Sequence, residues 1–201
     1  MFNGIIESTS VVRDCQERSK ALHLKLKKPK DFNDLDSGDS VAVDGVCLTV
    51  EEQASDQMTF TLAAETLHVT GWSAQSLFGR KLNLERSLRY GDRIHGHLVY
   101  GHVDCMGQIW MSEGHGSSWI LEVGFPMEWR RFLWPKGSVA INGVSLTVNQ
   151  VGEQSLRVCL IPETLNRTNL GDLTEGDEVT LEMDNMARGL IHWLDENQQR
   201  S

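Results

Sequence analysis

The chain has 201 residues and 40% of them are apolar, enough for one large domain or two small ones with packed cores. Its 19 basic and 28 acidic side chains give a net charge of −9, which disfavours binding to phosphate backbones, so nucleic acid is not an expected partner. The first residues lack a basic segment followed by an apolar one, and no apolar run approaches the about 20 residues of a membrane helix. Four cysteines without a CxxC pair indicate reduced thiols. We therefore expect a cytoplasmic protein without a membrane partner.

A long motif occurs twice in the chain. The segment SVAVDGVCLTV at residues 40–50 returns as SVAINGVSLTV at residues 138–148, 98 positions later. The pair ETLHVT and ETLNRT has the same offset, and Gly4 and Gly101 are 97 positions apart. Because the matches run in the same order along both parts, they predict a duplication with halves of roughly 95 residues rather than two hairpins that merely look alike.

The repeated motif reads as a β-hairpin. Alternating residues flank Asp44-Gly45 and Asn142-Gly143, pairs that favour two-residue turns with positive φ. Further strand patterns occur at residues 59–63, 81–85, 97–101, 119–123, 156–161 and 178–183. Many short strands in two similar halves favour an all-β fold with two small barrels, which have no exposed sheet edges.

The C-terminus has a different period. Met186, Ala187, Leu190, Ile191 and Leu194 recur at helical spacing and predict one amphipathic helix. Its apolar stripe must pack on the chain's own barrels or on the same helix of a neighbouring subunit. We favour self-association, because the barrels have their own cores.

The outward face of each hairpin differs between the halves. Because side chains alternate across a strand, Cys47 and Thr49 point away from the apolar row, as do Ser145 and Thr147 in the second copy. Two equivalent surfaces suggest two similar ligands, which a thiol and a hydroxyl would hold in unlike roles. Drift between two exposed positions is the alternative explanation.

Seven motifs carry a family resemblance. MFNGIIE, SVAVDGVCLTV, AAETL, HGHLVYGHVD, KGSVAINGVSLTV, LIPETLNRTNLG and VTLEMD follow one another in this order. Together they resemble the riboflavin synthases, which are lumazine-binding enzymes with two barrels. The resemblance covers residues 1 to about 190.

The resemblance implies a fold and a domain division. It implies two tandem, internally duplicated six-stranded Greek-key β-barrels and a C-terminal amphipathic α-helix. The N-terminal lumazine-binding barrel would comprise residues 1–97, the C-terminal barrel residues 98–185, and the trimerisation helix residues 186–201.

The resemblance also implies a reaction. Two molecules of 6,7-dimethyl-8-ribityllumazine would dismutate by transfer of a four-carbon unit to riboflavin and 5-amino-6-(D-ribitylamino)uracil, without a metal or redox cofactor. The enzyme would be a homotrimer, with each active site between the N-terminal barrel of one subunit and the C-terminal barrel of another. The resemblance leaves open an association with lumazine synthase.

By resemblance, six residues fall at catalytic positions. We expect His102, with Thr147, to assist removal of a proton from the C7 methyl group of one lumazine. We expect Cys47, with Ser40 and Asp184, to serve addition to C7 of the other lumazine and proton transfer. The six are Ser40, Cys47, His102, Ser145, Thr147 and Asp184.

Substrate binding is carried over mainly onto backbone segments. Extended backbone can pair with the polar edge of a flat pteridine, while hydroxyl groups meet the ribityl chain and apolar side chains cover the ring. The expected binding residues are Gly4, Ile5, Ile6, Leu48, Thr49, Thr61, Leu62, Ala63, Ala64, Glu65, Thr66, Gly101, Val103, Lys136, Leu146, Cys159, Leu160, Ile161, Pro162, Glu163 and Thr164.

Four positions depart from the family pattern: Asn3, Ser10, His95 and Tyr100. Asn3 and Tyr100 lie beside expected ligand segments, so they could change affinity or rate. None of the four removes a group with an expected catalytic role.

Two alternatives remain at this point. One is a non-catalytic protein of the same fold that binds a lumazine or flavin; it would have no need of the catalytic set. The other is a metal site at His95, His97, His102 and Asp104, whose spacing resembles that of ligands although no supporting cysteine pair or HExxH motif occurs.

Overall fold

The computed structural model describes residues 1–18, 20–116 and 118–198. The strands of the first half are β1 (Ser8–Arg18), β2 (Ala21–Lys27), β3 (Ser40–Val43), β4 (Val46–Thr49), β5 (Glu52–Gln53), β6 (Gln57–Leu62) and β7 (Lys81–Arg86). Those of the second half are β8 (Cys105–His115), β9 (Ser118–Gly124), β10 (Ser138–Ile141), β11 (Val144–Val151), β12 (Ser155–Leu160) and β13 (Glu178–Met183). The helices are α1 (Ala64–Thr70), α2 (Ala74–Leu77), α3 (Pro162–Arg167) and α4 (Asn185–Gln198).

Both halves have the same strand order. The second half is a closed barrel in the order β10-β11-β12-β9-β8-β13, and the first is a sheet in the order β4-β3-β7-β1-β2-β6-β5. Since β5 follows β4 after only Val50 and Glu51, the two strands together correspond to the single strand β11, and the chain itself bridges the seam. The all-β fold with two tandem barrel units and a C-terminal helix is confirmed.

The hairpin motif folds as predicted. Asp44 and Gly45 have φ angles of 43° and 80°, and Asn142 and Gly143 have 46° and 77°, as a two-residue hairpin turn requires. The strand registers pair Ala42 with Cys47 and, in the second barrel, the equivalent two positions. The two turns therefore fix the same register in both barrels.

The predicted strand faces are also confirmed. Leu48 packs in the core of the first barrel, whereas Cys47 is half-buried and Thr49 is exposed. Ile6 belongs to the first half, yet it is buried in the core of the second barrel. The leading segment of the first half thus crosses to the other barrel.

The strand predicted at residues 97–101 is wrong. Within this segment Val99 forms an isolated antiparallel bridge with Phe2, with N–O distances of 2.7 and 3.1 Å. The segment crosses between the barrels, and the N–H of Tyr100 donates to a carboxylate of β13 instead of a neighbouring strand. The other predicted strands are confirmed, while the strands β1, β2, β5 and β8 and the helices α1 to α3 had not been predicted.

A buried polar network joins the two barrels. Asn83 Nδ2 donates to the carbonyl oxygen of Asn142 at 2.9 Å and to Asn169 Oδ1 at 2.8 Å. Asn169 Nδ2 in turn donates to Asp44 Oδ1 at 2.9 Å. Because a buried polar group without a partner is costly, this network favours one relative placement of the barrels.

The predicted C-terminal helix is confirmed as α4, although residues 199–201 lie outside the described residues. Ala187 is buried, but Met186, Leu190, Trp193 and Leu194 are between 41% and 80% exposed. Most of the apolar stripe therefore has no cover among the described residues. In the described part of the chain, no helix combines the length and the apolar character needed to cross a membrane.

Candidate active sites

A cavity of about 520 Å³ lies beside Cys47 and His102. The first half contributes Cys47 from β4 and residues of α1, including Glu65 and Thr66. The second half contributes residues 101–104 and Arg188 from α4. Both halves are therefore needed to build this first site.

The backbone of Gly101 lies directly against Cys47. The Cys47 N–H donates to the carbonyl oxygen of Gly101 at 2.9 Å, and a Cβ atom on Gly101 would lie 2.4 Å from the Cys47 Cβ. Gly101 also has a φ of 77°, which residues with a side chain rarely adopt. Glycine is thus required here on two counts, and it places His102 next to the thiol.

The second barrel repeats this arrangement around Ser145. The Ser145 N–H donates to the carbonyl oxygen of Gly4 at 2.8 Å, and a Cβ atom on Gly4 would lie 2.5 Å from the Ser145 Cβ. Each half therefore lends its leading segment to the hairpin of the other half. We call the surroundings of Cys47 the first site and those of Ser145 the second site.

A buried carboxylate holds the segment at the first site. Glu182, 4% exposed, accepts the N–H groups of Tyr100 at 2.6 Å, Gly101 at 2.8 Å and His102 at 3.0 Å. Burial raises the pKa of Glu182, and the three N–H groups oppose that rise because they stabilise the anion. Glu182 thereby fixes the backbone on both sides of the Cys47 contact.

Glu85 is its counterpart at the second site. It is 3% exposed and accepts the N–H groups of Asn3 at 2.7 Å and Gly4 at 3.0 Å. Burial raises the pKa of Glu85 to about 7, against the effect of the amides of Asn3, Gly4 and Ile5. The two glutamates share the 97-residue offset of Gly4 and Gly101, but the sequence motifs did not indicate a role for them.

His97 was missed as a residue of the second site. The backbone N–H of His97 donates to Ser145 Oγ at 3.1 Å, and the imidazole Nδ1 atom lies 2.7 Å from the same oxygen. Burial lowers the pKa of His97, while the negative charge of Asp184 opposes the shift. The sequence spacing of His95, His97 and His102 had drawn attention to a metal site instead.

The structure divides the predicted catalytic residues between the sites. Cys47 and His102 line one cavity, whereas Ser145 and Asp184 lie around His97. Asp184 also caps α4, since its Oδ1 accepts the Met186 N–H at 2.8 Å.

The other two predicted catalytic residues lie further along the hairpins. Ser40 pairs with Thr49, and Thr147 pairs with Ser138. Neither Ser40 nor Thr147 lines the Cys47 cavity.

An ion pair links the first site to α4. Arg188 Nη1 lies 2.7 Å from Asp104 Oδ1, and Asp104 Oδ2 accepts the Met183 N–H at 2.7 Å. Burial raises the pKa of Asp104, against the effect of the Met183 N–H and the Arg188 charge. Arg188 lies outside the expected site residues, and it brings a positive charge to the cavity wall.

The predicted binding residues fall into three groups. Glu65, Thr66, Gly101 and Val103 line the cavity of the first site. Ile6, Leu48, Leu62 and Leu160 have side chains buried in the barrel cores, and Leu146 packs against the second core, so mainly their backbone could contact a ligand. The rest lie in the N-terminal segment, on outer strand faces, in loops or in first helical turns: Gly4, Ile5, Thr49, Thr61, Ala63, Ala64, Lys136, Cys159, Ile161, Pro162, Glu163 and Thr164.

The three histidines of the alternative metal site contact different parts of the structure. His97 contacts Ser145, His102 lines the first cavity, and the His95 N–H donates to Asn3 Oδ1 at 2.8 Å. Among residues 1–18, 20–116 and 118–198, no three His, Cys, Asp or Glu side chains form a group that could hold a metal ion.

Structures of similar fold carry a flavin or a lumazine. The LumP structure in complex with 6,7-dimethyl-8-(1'-D-ribityl) lumazine has a TM-score of 0.82 and 21% identity, and the match covers 91% of this chain and 99% of that chain. The LumP structure with riboflavin has a TM-score of 0.84 and 20% identity at the same coverage. At this level of identity the likeness concerns the fold.

Sequence relatives are closer. Riboflavin synthase from Brucella abortus is 38% identical over 193 residues, 94% of this chain and 95% of that protein. Riboflavin synthase from Photobacterium leiognathi is 35% identical over 94% of this chain and 87% of that protein, and the Bacillus subtilis enzyme is 33% identical over 96% and 90%. The family model for the lumazine binding domain matches twice, at residues 3–87 and 100–184. This chain, in which each half completes the site of the other half, belongs to the riboflavin synthase family.

Proposed function

We propose that this protein catalyses the dismutation of two molecules of 6,7-dimethyl-8-ribityllumazine to riboflavin and 5-amino-6-(D-ribitylamino)uracil. One observation carries the proposal: the two sites share a backbone arrangement but differ in chemistry. The first has a thiol and an imidazole at Cys47 and His102, and the second has Ser145, His97 and Asp184. Two like molecules can therefore bind in similar ways and react in unlike roles.

The proposed roles are those that the family resemblance implies. His102, with Thr147, assists removal of a proton from the C7 methyl group of one lumazine. Cys47, with Ser40 and Asp184, serves addition to C7 of the other lumazine and proton transfer. The conjugated ring stabilises a C7 methyl carbanion, which acts as the nucleophile once a base has removed the proton. The burial of His97, which lowers its pKa, supports a neutral imidazole at the second site.

The reaction is a four-carbon transfer that needs no net oxidant. The two products together contain the same atoms as two lumazine molecules, so the electrons balance within the pair. We therefore include in the proposal that the enzyme is a transferase that works without a metal or redox cofactor. This property is tested directly by assay in the presence of a chelator.

The division into a barrel at 1–97, a barrel at 98–185 and a helix at 186–201 is part of the proposal, as is a homotrimer. Each active site would lie between the N-terminal barrel of one subunit and the C-terminal barrel of another. The exposed apolar residues Leu190, Trp193 and Leu194 of α4 support this assembly, because burying such a stripe is favourable.

A cytoplasmic location and an association with lumazine synthase complete the proposal. The four cysteines are free thiols, as a reducing compartment would keep them. Copurification of the two proteins from cell extract would test the association.

The decisive experiment is to add 6,7-dimethyl-8-ribityllumazine to the purified protein, with a chelator and no cofactor, and to follow products by chromatography. Riboflavin formed at half the lumazine consumed is the expected result. Tight binding of lumazine without riboflavin would overturn the proposed activity. The identity of 33–38% to the riboflavin synthases, against 20–21% to LumP, favours the enzyme over the non-catalytic binder.

A further inference from the structure

The side chain of Asn3 binds three backbone groups of one segment. Its Oδ1 accepts the N–H groups of His95 and Gly96, both at 2.8 Å, and its Nδ2 donates to the carbonyl oxygen of Arg93 at 3.2 Å. Asn3 is 6% exposed, and its own N–H is held by Glu85. A carboxamide can make this set of bonds because its acceptor and its donor are on separate atoms.

The segment that Asn3 holds leads directly to the second site. Gly96 fits tightly between Asn3 and Ser145, since a Cβ atom there would lie 2.2 Å from the Asn3 carbonyl oxygen and 2.7 Å from the Ser145 Cβ. The next residue is His97, whose N–H and Nδ1 both contact Ser145 Oγ. An unbroken series of contacts therefore runs from Asn3 to the His97 imidazole.

Among the described residues, the equivalent side chain of the first site makes no such hydrogen bonds. The position equivalent to Asn3, 97 residues later, is Tyr100. Its N–H is held by Glu182, but its ring lies at 6.1 Å from the ring of His102, measured between centroids, at an interplanar angle of 40°. Of these two equivalent side chains, Asn3 therefore holds a later backbone segment by hydrogen bonds, whereas the Tyr100 ring lies near His102.

We propose that Asn3 is a positioning residue of the second site: it fastens residues 93–96 so that His97 stays on Ser145. Asn3 is one of the positions at which this chain departs from the family pattern, and this gives the departure a function. The expected effect on rate rests on the proposed function, whereas the placement of His97 does not.

The test compares Asn3→Ala and Asn3→Thr with the wild-type chain. Asn33→Ala is the matched control, because Asn33 is exposed. The first readout is the titration of the His97 side chain by NMR in the ligand-free protein, with the ring chemical shifts of His102 as an internal reference. The second is steady-state formation of riboflavin from 6,7-dimethyl-8-ribityllumazine.

In Asn3→Ala we expect the pKa of His97 to rise, because the imidazole becomes more solvated and stays near the Asp184 charge. The ring chemical shifts of His102 should stay as in wild type. We expect kcat to fall about tenfold with KM changed less than twofold. In Asn3→Thr the His97 pKa and kcat should lie between those of wild type and Asn3→Ala, since the threonine hydroxyl can replace part of the hydrogen bonding. This variant takes the place of Asn3→Ala if the alanine variant does not fold.

Two results would overturn the proposal. One is an unchanged His97 titration in both variants, and the other is a change in the ring chemical shifts of His102 as large as that of His97, which would indicate a general loosening. If His97 alone shifts but kcat equals that of Asn33→Ala, Asn3 does not position a group that the reaction uses. If wild type forms no riboflavin while His97 still shifts in Asn3→Ala, the proposed function fails and the placement of His97 by Asn3 stands.

Discussion

The Cys47 N–H donates a 2.9 Å hydrogen bond to the carbonyl oxygen of Gly101, a residue of the other half of the chain. The equivalent bond from Ser145 to Gly4 measures 2.8 Å. Neither half therefore contains a complete site of its own. Duplication produced two sites that depend on each other through their leading segments, and mutations in one half should affect the site in the other.

Gly101→Ala should disable the first site. The new Cβ would lie 2.4 Å from the Cys47 Cβ, and the residue would keep a strained φ of 77°. Gly91→Ala is the matched control, because Gly91 also has a positive φ, 98°, but nothing lies within 4 Å of its Cβ position.

We expect a stability loss of about 1 kcal/mol for Gly91→Ala and about 3 kcal/mol for Gly101→Ala, measured by urea unfolding. Riboflavin formation should be lost in Gly101→Ala alone. Equal losses of stability and of riboflavin formation in the two variants would show that the close contact with Cys47 contributes to neither.

Glu182→Gln and Glu85→Gln should act on different segments. Each amide keeps one acceptor oxygen but turns an NH2 group toward a backbone N–H, so part of the clamp is lost. Hydrogen exchange read by mass spectrometry should become faster at residues 100–102 in Glu182→Gln and at residues 3–5 in Glu85→Gln. Each variant serves as the control for the other, and faster exchange at both segments in either variant would argue against separate clamps.

Cys47→Ser should lower turnover more than lumazine affinity, and His102→Gln should lower turnover most. The reason is that the thiol and the imidazole line the same cavity and are proposed to move protons there. Steady-state kinetics combined with a binding titration would measure both effects. Equal losses in rate and affinity would instead make both residues part of the ligand wall.

The titration of the buried Asp44 carboxyl should appear in the pH dependence of the free energy of unfolding. This carboxyl is fully buried, its Oδ2 has no hydrogen-bond partner among the described residues, and Arg80 Nη2 is 3.8 Å away. Burial raises its pKa from 3.8 to about 7, although bonds from Asn83 and Asn169 and the Arg80 charge oppose the shift. A raised carboxyl pKa means that the folded state binds the proton more tightly than the unfolded state does. Its contribution to stability is therefore full below pH 3.8 and is lost as the pH rises through about 7.

Asp44→Asn removes this titration while keeping an oxygen for Asn83 and Asn169. The free energy of unfolding of the variant, relative to wild type, should rise between pH 4 and pH 7 by on the order of a few kcal/mol and then level off. Urea unfolding across this range measures it. A constant difference between the two proteins would mean that Asp44 does not titrate in this window.

Trp193→Glu should disrupt the proposed trimer. Trp193 is 60% exposed on α4, and a carboxylate there would have to be buried in a helix interface. Sedimentation velocity should detect smaller species for this variant. Gln198→Glu at the end of the same helix is the control, and an unchanged size for Trp193→Glu would place the contact elsewhere.

Local patterns in the sequence determined the hairpins, the duplication and the outward placement of Cys47 and Ser145. The Asp-Gly and Asn-Gly turns and the alternation of side chains act over a few residues, so their outcome can be read without knowing the partners. The family motifs added the expected site residues, of which Cys47 and His102 do line one cavity.

Only the tertiary structure decided how the sites are completed. Residues 97–101 alternate like a strand, yet the N–H groups of Tyr100 and Gly101 find the Glu182 carboxylate more than 80 positions away. His97 had a role only in the unsupported metal-site alternative until its segment was placed on Ser145, and the sequence pointed to Asn3 and Glu85 without indicating what they bind. Their roles depend on two segments that cross between the barrels. Tertiary packing decides which residues so distant in the chain form hydrogen bonds, and no periodic pattern in the sequence indicates these pairs.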